Sequence, residues 1–97
     1  MAAKIALVTG GSRGLGKDMA LSLAKKGIDV LLTYNSNKIE AEKVVLEIQK
    51  VGQKSHALQF DVSDIKSLDS FIKRVHTILT EHWETEKFDF LINNTQV

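Results

Sequence analysis

Cysteine is absent from this 97-residue chain, and with it go a disulfide framework, a thiolate metal site and a cysteine nucleophile. Proline is absent too. No Pro/Ser/Gly-rich or low-complexity stretch divides the chain, so it reads as one domain over residues 1–97. No charge of one sign prevails: 13 basic against 12 acidic residues leave a net charge of +1. Nucleic acid and anionic membranes are thus offered no broad electrostatic surface, and any anion must be held locally. Nor is there a long hydrophobic run. The apolar segment after Met1-Ala2-Ala3-Lys4 is too short for the apolar region of a secretory signal and far too short to cross a bilayer, so a cytoplasmic location is expected. What is present, 43% hydrophobic and 26% charged residues, is the balance of an ordinary globular domain.

Two hydrophobic periods alternate along the chain. Lys4-Ile5-Ala6-Leu7-Val8-Thr9 is a short, branched apolar run stopped by Gly10-Gly11, as in a strand buried on both faces. Over residues 14–26 the apolar positions Leu15, Met19, Ala20, Leu23 and Ala24 keep helical spacing, and Gly27 supplies the stop. Residues 28–34 read as a second strand. Asn37 with Glu40 resembles a capping box, opening a helix lined by Ile39, Val44, Ile48 and Val51 that ends at Gly52. Residues 55–60 form a weaker third strand. Ser63 can cap a helix carrying Ile65, Leu68, Phe71, Ile72, Val75, Ile78 and Leu79, with Trp83 closing its buried face, and residues 88–92 make a fourth strand. The pattern is βαβαβαβ, an α/β fold in which right-handed crossovers give a parallel sheet covered on both faces. Ligands bind such sheets outside the carboxyl ends of the strands.

At the first of those ends stands Thr9-Gly10-Gly11-Ser12-Arg13-Gly14-Leu15-Gly16. Glycines there permit a tight turn off the strand, close approach of backbone to phosphate and close packing of helix on strand. The following helix N-terminus points free N–H groups and a positive dipole end at the phosphate. Gly11 and Gly16-Lys17 also fit the G-x-x-x-x-G-K of a triphosphatase loop, but Asp18 occupies the position of the Ser/Thr hydroxyl that holds Mg²⁺. The strict G-x-G-x-x-G fingerprint fails as well, because Met19 takes its last glycine position. The pattern matched throughout is T-G-x-x-x-G-x-G, carried by Thr9, Gly10, Gly14 and Gly16.

With Asp61-Val62 after the third strand and Leu91-Ile92-Asn93-Asn94 after the fourth, the chain resembles the N-terminal part of a short-chain dehydrogenase/reductase. The resemblance covers all 97 residues. It implies a three-layer Rossmann-type fold with a four-stranded parallel sheet in strand order 3-2-1-4, truncated relative to the full family fold. It implies a nicotinamide dinucleotide as ligand, with Gly10, Ser12, Gly14, Leu15 and Gly16 at the pyrophosphate and Arg13 in the same loop. Asp61 and Val62 would then hold the adenine, and Asn93 and Asn94 would contact the cofactor. Each acidic or amide residue also has a plainer reading: Asp61 can cap a helix, and the two asparagines can tie off a strand end. The family's reacting serine and Y-x-x-x-K lie beyond the fourth strand, so no catalytic residue is assigned in this chain. Tyr34 and Lys38 reproduce Y-x-x-x-K only in letters, at the adenosine end of the site. Thr95-Gln96 replaces the usual Ala-Gly pair after the asparagines.

NAD sites carry a carboxylate at the end of the second strand, about twenty residues past the glycine loop, for the ribose 2′-OH. Here Tyr34-Asn35-Ser36 stands there instead, offering hydroxyl and amide donors, and Arg13 adds a permanent charge. Both features favour NADP(H). The expected function is the NADP(H)-binding portion of an oxidoreductase that passes hydride to or from a carbonyl or alcohol. The alternative is an inactive nucleotide-binding or self-associating module, since a fourth strand without further neighbours leaves an open edge. His56, His76 and His82 are not spaced to share one helix face, and no carboxylate cluster completes a metal site. Glu40, Glu42, Glu81, Glu84 and Glu86 read as solvent-facing helix charges.

Overall fold

The computed structural model describes residues 4–10, 14–61, 66, 68–85 and 87–93. Seven elements follow one another: β1 (Ile5–Thr9), α1 (Gly14–Lys25), β2 (Asp29–Tyr34), α2 (Lys38–Lys50), β3 (Ser55–Gln59), α3 (Leu68–Trp83) and β4 (Phe90–Asn93). The four strands form one sheet in the order β3-β2-β1-β4, and every pairing is parallel. Leu7 of β1 lies between Leu31 of β2 and Leu91 of β4. The order reverses at β1, which sits between the strand reached first and the strand reached last.

Side chains of consecutive strand residues point to opposite faces, and here both faces are covered. Ala6, Val8, Val30 and Leu32 pack with Ala20 and Ala24 of α1 and with Ala41, Val44 and Ile48 of α2. Ile5, Leu7, Leu31 and Leu58 pack on the other face with Phe71, Val75 and Leu79 of α3. Burial on both faces is why β1 reads as a continuous apolar run. The four alanines on the first face, Ala6, Ala20, Ala24 and Ala41, leave room for two helices to approach the sheet closely.

Helix α2 begins as expected, with the Asn37 Oδ1 accepting from the Glu40 N–H at 3.1 Å. Its buried stripe differs from the expected one. Ala41, Val44 and Ile48 are inside, whereas Ile39 is 68% and Val51 45% exposed. At 100° per residue Ile39 lies on the far side of the helix from Ala41, and Val51 falls in the turn after the last helical residue. Similarly, α3 buries Phe71, Val75 and Leu79 but leaves Ile72 exposed. The proposed cap Ser63, together with Ile65, lies outside the described residues. Helix α1 ends at Lys25 and is closed by Gly27, whose φ of +88° is the left-handed value that favours glycine; the Gly27 N–H donates to the Ala24 carbonyl at 3.0 Å.

The amino ends of the strands are locked by carboxylates. Asp29, only 4% exposed, accepts from Gln53 Nε2 at 2.7 Å, Lys54 N at 2.9 Å and Trp83 Nε1 at 2.8 Å. Asp89 accepts from the Ile5 N–H at 2.8 Å. Trp83 thus packs on the core of the α3 face, as expected, and also ties α3 to β2. Among the described residues no helix is long and apolar enough to cross a membrane.

Candidate functional site

The strand order brings the carboxyl ends of β2, β1 and β4 side by side, with β1 in the middle. Gly10 follows β1 directly with φ +67°, and Gly14, the first residue of α1, has φ +63°. Side chains other than glycine rarely adopt this backbone region, so the turn from β1 into α1 depends on these two positions. Gly16 is buried within α1, and Leu15 is 68% exposed beside it. No acidic residue stands in the first turn of α1, where a carboxylate would compete with an anion for the positive end of the helix dipole.

Two hydroxyls fasten the start of the loop. The Gly10 N–H donates to Thr33 Oγ1 at 3.0 Å, and Thr33 is 1% exposed near the end of β2. Thr9 Oγ1 reaches the Ile92 carbonyl of β4 at 3.4 Å, and Thr9 pairs with Asn93 in the ladder. The carboxyl end of β1 is therefore held between both of its neighbours. Chemically, a glycine turn feeding a helix N-terminus can take an anionic group against backbone N–H donors, and the residues present fit the pyrophosphate of a dinucleotide.

The second strand ends beside it. Tyr34 is half-buried, its ring packed against the α1/α2 core cluster, while Asn35 and Ser36 are exposed. The Tyr34 carbonyl accepts from the Phe60 N–H at 2.9 Å, and the Asn35 carbonyl accepts from Gln59 Nε2 at 2.9 Å. Tyr34 and Lys38 line a groove of about 330 Å³ between α2 and β3, with Val45, Ser55, His56 and Ala57. Lys38 Nζ stands 3.8 Å from Glu42 Oε1. Asp61 is half-buried just past β3. Of the remaining sequence-derived candidates, Ser12, Arg13, Val62 and Asn94 lie outside the described residues, as do Thr95, Gln96 and Val97.

Three contributors escaped the sequence reading. Thr33 and Gln59 carry no motif and are recognised only through the partners that the sheet register gives them. The third is the neighbourhood of His56 and His82, whose contact no spacing in the sequence indicates. Although His56 and His82 share no helix face, packing of α3 on β3 brings their rings to 3.9 Å between centroids, tilted by 30°. Trp83 meets His56 edge-on at 5.5 Å. Burial, then the neighbouring His82 and Lys54, push the His56 pKa below its ordinary value. The pair is a packing contact: among the described residues no group of three or more His, Cys, Asp or Glu is placed to hold a metal ion.

Comparison with known proteins agrees with this arrangement. The chain is 39% identical over 94 residues to 3-oxoacyl-(acyl-carrier-protein) reductase FabG of Staphylococcus aureus, covering 97% of this chain and 36% of that protein. It is equally similar, 39% over 94 residues, to the short-chain dehydrogenase/reductase homolog YusS of Bacillus subtilis, of which it covers 81%. Among solved structures, landomycin C-6 ketoreductase LanV, crystallised with bound NADP and rabelomycin, superposes with a TM-score of 0.92 at 29% identity, covering 99% of this chain and 39% of LanV. The chain thus spans 36% of the length of FabG and 39% of that of LanV. Residues 4–97 match the short chain dehydrogenase family model, and with the parallel 3-2-1-4 sheet and its glycine turn this places the chain in the short-chain dehydrogenase family.

Proposed function

We propose that this chain is the NADP(H)-binding portion of an oxidoreductase. The observation that carries the reading is the neutral end of β2. Tyr34-Asn35-Ser36 stands next to the glycine turn, at the strand end where an NAD site has a carboxylate. A carboxylate would repel a ribose 2′-phosphate, whereas hydroxyl and amide groups can donate to it. Gly10, Gly14, Leu15 and Gly16, with Ser12, hold the pyrophosphate, and Arg13 joins Tyr34, Asn35 and Ser36 at the 2′-phosphate. Asp61 and Val62 face the adenine, and Asn93 and Asn94 the nicotinamide side. When bound, the nicotinamide supplies or accepts a hydride at a carbonyl or alcohol carbon; the chain's own residues bind and orient it. The reductase name of FabG and the NADP held by LanV support this reading.

Titration of the purified chain with NADPH, NADH and ATP–Mg²⁺ tests the proposal, together with Arg13→Ala. One charge-assisted contact is worth about 1.5–3 kcal/mol, or roughly tenfold and more in affinity. NADPH should therefore lose at least that much and NADH little. Equal losses for the two cofactors refute the 2′-phosphate assignment, and tight ATP–Mg²⁺ binding without NADPH binding refutes the family role.

A second reading concerns assembly. In the described chain Phe90 is 39% and Leu91 57% exposed on β4, an edge strand of the sheet. We propose that this chain associates with a second copy through that edge. Sedimentation equilibrium of the wild type and of Leu91→Lys reads it, and a wild type that is monomeric at high micromolar concentration ends it.

A further inference from the structure

The segment that carries the proposed cofactor preference, Tyr34-Asn35-Ser36, hangs between the last ladder bond of β2 and the Asn37 cap of α2. The side chain that reaches it from another strand is that of Gln59. Tyr34 and Gln59 are register partners at the ends of β2 and β3, and Gln59 Nε2 donates to the Asn35 carbonyl at 2.9 Å. The backbone that carries Gln59 is itself held from the opposite face. Arg74 Nη1 of α3 donates to the Gln59 carbonyl at 3.1 Å, and the next residue, Phe60, stacks on Phe71 of α3 at 4.1 Å between ring centroids. The Phe60 N–H in turn donates to the Tyr34 carbonyl at 2.9 Å.

We infer that Gln59 is a positioning residue for 2′-phosphate recognition, acting through the Asn35 carbonyl and held in place by Arg74. The inference rests on the NADP(H) reading above. A carbonyl oxygen directed at a phosphate repels it, whereas N–H and O–H groups attract it. By engaging the Asn35 carbonyl from the β3 side, Gln59 keeps that oxygen occupied and turned to the sheet edge. The amide of Asn35 and the hydroxyl of Ser36 are then the polar groups left for an anion. Neither Gln59 nor Arg74 touches the cofactor in this scheme.

The test uses the full 97-residue chain and two soluble probes, 2′,5′-ADP and 5′-ADP, which differ in the 2′-phosphate. Gln59→Met keeps the length of the side chain and removes the donor. Gln59 is exposed, so the variant is expected to fold. Its amide NMR spectrum should change at the Ser36 N–H, which follows the released carbonyl, and stay unchanged in α1 and β1. One neutral hydrogen bond corresponds to about two- to tenfold in affinity. Affinity for 2′,5′-ADP should fall by that factor while affinity for 5′-ADP stays within twofold, the scale of such an effect's lower bound. An unchanged 2′,5′-ADP to 5′-ADP ratio in Gln59→Met overturns the inference, and so does an equal loss for both probes. A wild type that binds the two probes equally overturns the NADP(H) reading itself, an outcome distinct from a wild type that discriminates and a variant that discriminates as well.

Discussion

The N–H of Gly10 is held by the hydroxyl of Thr33, 3.0 Å away on the adjacent strand, so the first residue of the glycine turn takes its orientation from a side chain 23 positions later in the chain. Thr33 is 1% exposed, and a hydrogen bond shielded from water at a turn with positive φ restricts the directions the following backbone can take. The neighbouring Thr9 extends the same restraint towards β4.

Replacing Thr33 by valine retains the shape and removes the acceptor. NADPH and NADH share the pyrophosphate that the proposed function assigns to this turn, so both should lose about fivefold in affinity, corresponding to about 1 kcal/mol for one hydrogen bond. Isothermal titration with the two cofactors reads the result. A loss confined to NADPH would place Thr33 at the 2′-phosphate and contradict its assignment to the pyrophosphate turn.

Asp29 is the main polar fastening at the opposite end of the sheet. Asp29→Ala strips a buried acceptor from Gln53 Nε2, Lys54 N and Trp83 Nε1 together. Leaving such groups unmatched should cost about 3–5 kcal/mol, a large part of the 5–15 kcal/mol that holds a typical domain together. Urea denaturation followed by Trp83 fluorescence is the appropriate measurement. A midpoint within error of wild type would show that the fastening carries no stability.

Acidification should weaken the packing of α3 on β3. The folded state disfavours protonation of His56, its pKa lowered by burial and by His82 and Lys54, while the unfolded chain takes up the proton near the ordinary value of 6.5. The unfolded state therefore binds more protons as pH falls below about 6.5, and stability present above that pH is progressively lost down to the folded-state value. Thermal midpoints at pH 7.5 and 5.5 should differ in that direction, and His56→Gln should narrow the difference. A gap of the same size in the variant would assign the effect to other groups.

Ser55 presents the reverse case. It is 1% exposed, and its hydroxyl has no hydrogen-bond partner among the described residues. Ser55→Ala removes a buried polar atom that has lost its water and gained nothing in return. The expected gain is about 1 kcal/mol, which in a domain of this size raises the thermal midpoint by about 4–8 °C. Calorimetry checks it, and a lowered midpoint would mean that the hydroxyl is satisfied in solution.

Local chemistry accounts for what could be read before the fold was known. A branched apolar run and a helical period at residues 4–26 act over neighbours in the chain, and β1 and α1 appear in their expected places. Asn37 capped its helix because its partner N–H is three residues away. The buried stripe of α2 was read less well: Ile39 and Val51 are as apolar as Val44, and only the angle at which α2 meets the sheet decides which of them face it.

The sequence by itself therefore determined the succession of strands and helices and the position of the glycine turn, because period, capping and glycine conformation are short-range properties. Tertiary structure alone decided that Thr33 orients Gly10, that Gln59 holds Asn35, that Asp29 binds Trp83 and that His56 meets His82. Each of those contacts joins residues more than twenty positions apart. Their existence depends on strand order, on parallel register and on where each helix crosses the sheet, and no local pattern encodes these.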